Sequence, residues 1–139
     1  MRLIDLYTHK DRYVYTWGLL KERPTNANIS HTGIMPSWDQ HRRHVDSRPH
    51  PLWFFVLADV PDERIVGTIY LTARREVGIA IVAEEQRKGY AKAAIQLLRD
   101  LFPGPILANV APGNEPSLRL FEGLGGRIKQ ITYQLQEQP

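Results

Sequence analysis

Between Trp53 and Phe102 the spacing of apolar residues changes once, from every second residue to every third or fourth. That change restricts the fold more than any other feature of the chain. Trp53 to Ala58 is a dense apolar and aromatic run, best read as a buried strand. A turn over Asp59 to Arg64, with Pro61 and Asp62, leads to a second β-rich run, Ile65 to Leu71. The two predict an antiparallel hairpin. In the third run, Glu76 to Val82, the residues Val77, Ile79 and Ile81 share one face, and Glu76, Gly78, Ala80 and Val82 the other. The second face is small, with a carboxylate at one end. Small residues in mid-strand mark either a ligand passing closely or an element packed tightly on that face. Helical spacing then takes over, with Ala91, Ala94, Ile95, Leu98, Leu101 and Phe102 on one stripe.

The flanking segments fit around this centre. Arg2 to Tyr7 predicts a short first strand, and Thr8 to Arg23 a helix ended by Pro24. Thr25 to Pro36 is a polar loop. Ser37-Trp38-Asp39-Gln40 has the form of a capping box opening a short helix to about Ser47. After Pro103-Gly104-Pro105, Ile106 to Val110 predicts another short buried strand. Asn114 caps a helix to about Glu122, with Pro116 tolerated in its first turn. Gly123, Gly125 and Gly126 end that helix. Arg127 to Gln136, with Ile128, Ile131, Tyr133 and Leu135, predicts a last strand with an irregularity after Lys129. The order β-α-α-β-β-β-α-β-α-β indicates one α/β (α+β) domain over residues 1–139, built on a mixed sheet.

Composition removes several classes of function. With 42% apolar and 24% charged residues the chain is neither disordered nor fibrous. It has no cysteine, hence no disulfide, thiolate metal site or cysteine nucleophile. The net charge of +3 comes from scattered pairs (Arg42-Arg43, Arg74-Arg75, Arg87-Lys88) rather than a stripe, so nucleic acid is not an expected partner. The longest apolar run, Leu52 to Ala58, is far short of the roughly 20 residues that cross a bilayer. No membrane association is expected, and a cytoplasmic location is the default. His41 and His44, with His31 and His50 nearby, lack a third ligand pattern and are read as solvated side chains, with no metal.

The candidate site lies where the third β run hands over to a helix, at Gln86-Arg87-Lys88-Gly89-Tyr90-Ala91. Gly89 lets the chain pass close to a ligand. The free N–H groups of the helix start form an anion site, reinforced by the helix dipole and by Arg87, Lys88 and Lys92. The segment is neither a Walker P-loop nor a Rossmann fingerprint. It matches the Q/R-x-x-G-x-G/A signature of the GNAT N-acetyltransferase superfamily. Further along, Asn114-Glu115-Pro116-Ser117-Leu118-Arg119-Leu120-Phe121-Glu122-Gly123-Leu124-Gly125-Gly126 resembles that family's N-x-x-S/A-x-x-L/F-Y/F-x-x-x-G-F segment. The resemblance covers roughly Trp53 to Leu135, and the first fifty residues fit by element order alone.

The resemblance implies a GNAT fold: a mostly antiparallel sheet of about six strands, splayed between the fourth and fifth, with about four helices. It also implies acetyl-CoA as acyl donor and transfer to an amine. The diphosphate would sit on the loop from Gln86 and Arg87 through Lys88, Gly89, Tyr90 and Ala91 to Lys92. The pantetheine arm would run along the main chain near Ile81 and Val82, with small Gly78 and Ala80 admitting it. Asn114, Ser117 and Phe121 would line the arm and the thiol end. An amine protonated at neutral pH must lose a proton to attack, and Glu76, ten residues before Gln86, is the candidate base, acting through water. The competing role for Glu76 is an ion pair with Arg74 or Arg75. The N–H near Val82 would polarise the thioester carbonyl. Phe121 stands where many family members carry the tyrosine that protonates the departing thiolate. Ser117, Tyr90, Tyr133 or water would replace it, or the thiolate leaves unassisted.

By the same resemblance the acceptor pocket would use Asn28, Ser30 and His31 of the loop and Trp38 and His41 of the capped helix. The S-W-x-x-H pattern is similar to relatives that acetylate amino groups on nucleotide-linked sugars. The alternatives are protein or polyamine amines, a larger acyl donor, a non-catalytic acyl-CoA-binding module, and a weak nucleic-acid binder. Either a monomer or a homodimer fits the sequence.

Overall fold

The three central runs lie side by side as antiparallel strands in a computed structural model, which describes residues 1–22 and 35–136. They are β2 (Leu52–Ala58), β3 (Arg64–Leu71) and β4 (Glu76–Ile81). Strand β1 (Arg2–Asp5) adds antiparallel to β2, and β5 (Leu107–Ala108) adds parallel to β4, giving the order β1-β2-β3-β4-β5. Helices α1 (Arg12–Glu22) and α2 (Trp38–Asp46) precede β2, α3 (Tyr90–Leu101) joins β4 to β5, and α4 (Glu115–Gly123) follows β5. This is the mixed α/β architecture expected, with five strands among the described residues rather than six.

Alternation along the strands sorts two cores onto the two faces of the sheet. Val56, Ala58, Ile69, Leu71 and Val77 pack with Ala94, Ile95 and Leu98 of α3. Trp53 and Phe55 point the other way, onto Leu6 and onto Val45 of α2. Leu101, which helical spacing places on the α3 stripe, is 57% exposed, so the buried stripe is narrower than its apolar residues suggest. The capping box of α2 is complete. Gln40 N–H donates to Ser37 Oγ at 3.1 Å, and Ser37 N–H donates to Gln40 Oε1 at 2.8 Å.

The expected last strand is absent: residues 127–136 have no regular structure, and Tyr133 is 86% exposed. Alternating residues supply a strand-like face but not a partner, and β5, the last strand of the sheet, is only two residues long. Among the described residues no helix is long and apolar enough to cross a membrane.

Candidate functional site

Strands β4 and β5 part almost at once. Among the described residues only Glu76–Leu107 and Val77–Ala108 pair; from Gly78 to Ile81, β4 has β3 on one side and no described strand on the other. Antiparallel hydrogen bonding alternates, which decides which groups face the gap. Val82 N–H donates to Val66 C=O and Thr72 N–H to Glu76 C=O, both at 2.9 Å, so even-numbered residues of this stretch bond to β3. Ile79 and Ile81 therefore turn their N–H groups to the open side. This corrects the role expected of Val82, whose N–H is already committed; the donor facing the gap is that of Ile81. The Ile81 carbonyl accepts from Gln86 Nε2 at 3.0 Å, so the first residue of the signature ties the loop to the strand.

After a 3-10 turn over Ala83–Glu85, the chain takes left-handed conformations at Arg87 (φ 64°) and Gly89 (φ 85°). Successive amides in such a loop form a concave nest for an anion. Gly89 supplies no side-chain cap to α3, so the N–H groups of its first turn stay available. A Cβ added at Gly89 would meet nothing within 4 Å, so open space lies over the loop. Shape and donors fit a diphosphate, which would rest on these amides with Arg87 and Lys92 exposed beside it.

The side chains of two further signature residues, Lys88 and Tyr90, are turned to structural use. Arg64 Nε donates to Glu85 Oε1 at 2.7 Å, and Arg64 Nη2 donates both to Glu85 Oε2 and to the Tyr90 hydroxyl at 3.0 Å. Lys88 Nζ adds a third bond to Glu85 at 3.1 Å. These hydrogen bonds, Arg64 first and Lys88 second, pull the Glu85 carboxyl down to about 2. The Lys88 side chain and the Tyr90 hydroxyl thus anchor the loop to Glu85 and to Arg64 of β3, while the main-chain N–H groups of both residues remain part of the loop.

Glu76 projects on the face of the sheet opposite α3. Its carboxylate accepts a hydrogen bond from Asn109 Nδ2, just past β5, and its N–H donates to Thr72 Oγ1 at 3.0 Å. The ion-pair alternative does not hold for Arg75, whose guanidinium donates to the carbonyls of Phe102 and Pro105 at 2.6 Å. Among the described residues Glu76 forms no ion pair. The sequence reading missed Asn109, although it is the one polar residue within the apolar run Ile106 to Val110.

Gly78 is small because of Tyr70, its partner across β3, and not to leave room for an arm or a larger acyl group. A Cβ at Gly78 would lie 2.0 Å from Tyr70 Cζ. The other side of the Tyr70 ring is stacked by His50, centroids 3.7 Å apart and planes within 2°. Burial first, then the neighbouring His44 charge, lowers the pKa of His50 to about 4. Neither Tyr70 nor His50 was expected near the site; hairpin register, which opposes a tyrosine to a glycine, was the available signal.

On the far side of the gap, Asn114 caps α4, with Ser117 N–H donating to its Oδ1 at 3.3 Å. Ser117 is half-buried, and Phe121 packs on the α3-side core. Tyr133, one of the candidates to protonate the departing thiolate, lies in no strand and is exposed to solvent rather than held on an edge of the sheet.

The acceptor residues divide three ways. Asn28, Ser30 and His31 lie outside the described residues. Trp38 is 39% exposed, its ring edge-on to Trp17 at 5.3 Å. His41 is only 2% exposed, which corrects its reading as a solvated or pocket-lining residue. Its Nε2 lies 3.1 Å from the Tyr13 carbonyl and 2.7 Å from Thr16 Oγ1, joining α2 to α1. Since a carbonyl only accepts, Nε2 carries the proton. Glu22, the last residue of α1, was not anticipated: its carboxylate accepts from Ala83 N–H at 3.0 Å, placing the end of α1 at the exit of β4.

Comparison with known proteins agrees with this geometry. No curated protein matches the chain. A solved structure of a domain from Methanocaldococcus jannaschii superposes with a TM-score of 0.72 at 20% identity, over 94% of this chain and 89% of that one, a likeness of fold. The sequence model of the Acetyltransferase (GNAT) family matches residues 15–125, which takes in the parted strands, the left-handed loop and α4 together. The chain belongs to the GNAT acetyltransferase family.

Proposed function

We propose that this protein is an acetyl-CoA-dependent N-acetyltransferase acting on a primary amine of a small molecule. Amino sugars, free or nucleotide-linked, are the first acceptors to try. The observation that carries the reading is the open edge of β4 running into a left-handed loop at the uncapped start of α3. Acetyl-CoA supplies the activated thioester carbonyl. Main-chain amides from Arg87 to Lys92 hold its diphosphate, and the edge of β4 at Ile79 and Ile81 pairs with its arm. Ile81 N–H, fixed in direction by the β3 ladder on the other side, is aimed where negative charge develops on the carbonyl oxygen.

Glu76 takes a proton from the incoming ammonium group through water. Asn109 fixes the carboxylate's orientation by donating to one oxygen, which leaves the other to act. With Phe121 carrying no hydroxyl and Tyr133 exposed, the thiolate leaves to water or to Ser117. Unassisted departure is reasonable because free thiols have pKa values near 8.5. Two measurements test the reading in order. Acetyl-CoA should raise the melting temperature of the folded protein by linkage, and thiol release with a panel of amines should then identify an acceptor. A thermal shift without thiol release across sugars, polyamines, amino acids and peptides would favour the acyl-CoA-binding module instead. No shift at all would overturn both.

A further inference from the structure

Residues 127–136 carry a concentration of uncovered apolar surface. Ile128, Ile131, Tyr133 and Leu135 are 81%, 68%, 86% and 92% exposed, four of the five most exposed large apolar side chains described. Ile131, Tyr133 and Leu135 alternate as the face of a strand does. Contiguous apolar surface of this kind marks a place where another body binds. The sheet meanwhile ends at β5, where Leu107 is 36% exposed and no further strand is laid down among the described residues. Segment and edge are complementary in kind, one a strand without a sheet and the other a sheet without its next strand. Among the described residues of one chain the two do not pair.

We propose that residues 127–136 of each copy lie as an added strand along β5 of a second copy, exchanged reciprocally about a twofold axis. Main-chain hydrogen bonds to an exposed edge supply affinity, and the alternate side chains supply register. A reciprocal exchange closes on itself, so it ends at a dimer rather than a filament. The area is sufficient. At roughly 100 Å² of apolar surface per side chain, two exchanged segments and the surfaces they cover bury on the order of 1,200–1,600 Å², the size of a standard stable interface. Burial in the dimer also accounts for an apolar segment that a lone chain leaves in water.

The absence of native cysteine makes the test clean. One full-length copy carries Leu107→Cys and a second, size-tagged copy carries Ile131→Cys or Tyr133→Cys, the two tail positions covering both neighbouring registers. The copies are mixed, refolded together and oxidised. The expected result is a disulfide between the two different copies, and a native mass by light scattering of twice the 16.0 kDa chain. Tyr133→Asp should raise the dimer Kd by at least about 100-fold while far-UV circular dichroism is unchanged. Three results would overturn the proposal: a single-chain mass at the highest soluble concentration, a dimer indifferent to Tyr133→Asp, or an oxidised Leu107→Cys/Ile131→Cys chain linked only within itself.

Discussion

Glu76 and Gly78 stand two residues apart on one face of β4, and opposite demands fix them. Glu76 is polar and held by Asn109, while Gly78 lies under the Tyr70 ring. Glu76→Gln keeps the shape and the Asn109 contact but removes the base. Acetyl-CoA should still raise the melting temperature, while turnover falls by about 10²-fold or more. Wild-type turnover across the pH range would exclude Glu76 from the chemistry. Gly78→Ala tests packing instead. The new methyl overlaps a ring already pinned by His50, so a loss of about 1–3 kcal/mol is expected in urea unfolding. The cost should shrink when Tyr70→Ala is added, a coupling that a double-mutant cycle reads directly. These residues were unequally legible. Alternation placed Glu76 and Gly78 on a common face, but a glycine is silent about what fills the space above it. Asn109 and Tyr70 needed the register between strands, which no single segment contains.

At the scale of elements, the left-handed loop and the start of α3 work as one unit. Gly89 at φ 85° is a conformation that a side chain resists by about 1–2 kcal/mol, even though space is open above it. Gly89→Ala should therefore lower stability by about that amount and also reduce the acetyl-CoA thermal shift. The two effects separate in calorimetry, since the folded variant should bind more weakly at a temperature well below its unfolding. Unchanged affinity would show that this loop is not where the diphosphate rests. The strands and helices around it were readable because each carries its own period and its own punctuation: the Ser37 capping box, Pro24, the Asn114 cap. What failed were features belonging to pairs of elements. The parting of β4 from β5, which the family resemblance implied, leaves β5 two residues long where Ile106 to Val110 was expected, and the alternation of residues 127–136 finds no edge to pair with among the described residues.

For the whole molecule, the decisive property is how stability follows pH, because His50, His41 and Glu85, on different segments packed around the sheet, have folded pKa values below their ordinary ones. His50, stacked on Tyr70 and edge-on to Trp53, stays neutral down to about 4. Between the ordinary histidine value of about 6.5 and about 4, the unfolded chain takes up a proton that the folded chain refuses. Stability is therefore full above pH 6.5 and falls as pH falls through that window. His41, buried between α1 and α2, is shifted in the same direction by desolvation and adds to the same limb. Glu85 acts lower. Bonded to Arg64 and Lys88, it stays ionised to about 2, so its contribution is lost as pH drops from about 4.5 towards 2. Urea unfolding from pH 7 to pH 3 should thus show two successive declines. His50→Phe, which can keep the stack on Tyr70 but cannot titrate, should flatten part of the upper one and leave the lower intact. Glu85→Gln should do the reverse, and should also loosen the loop that Arg64 and Lys88 hold. An upper limb unchanged in His50→Phe would mean that the sheet's second face admits a charged imidazole, and that its aromatic packing is looser than the stack implies.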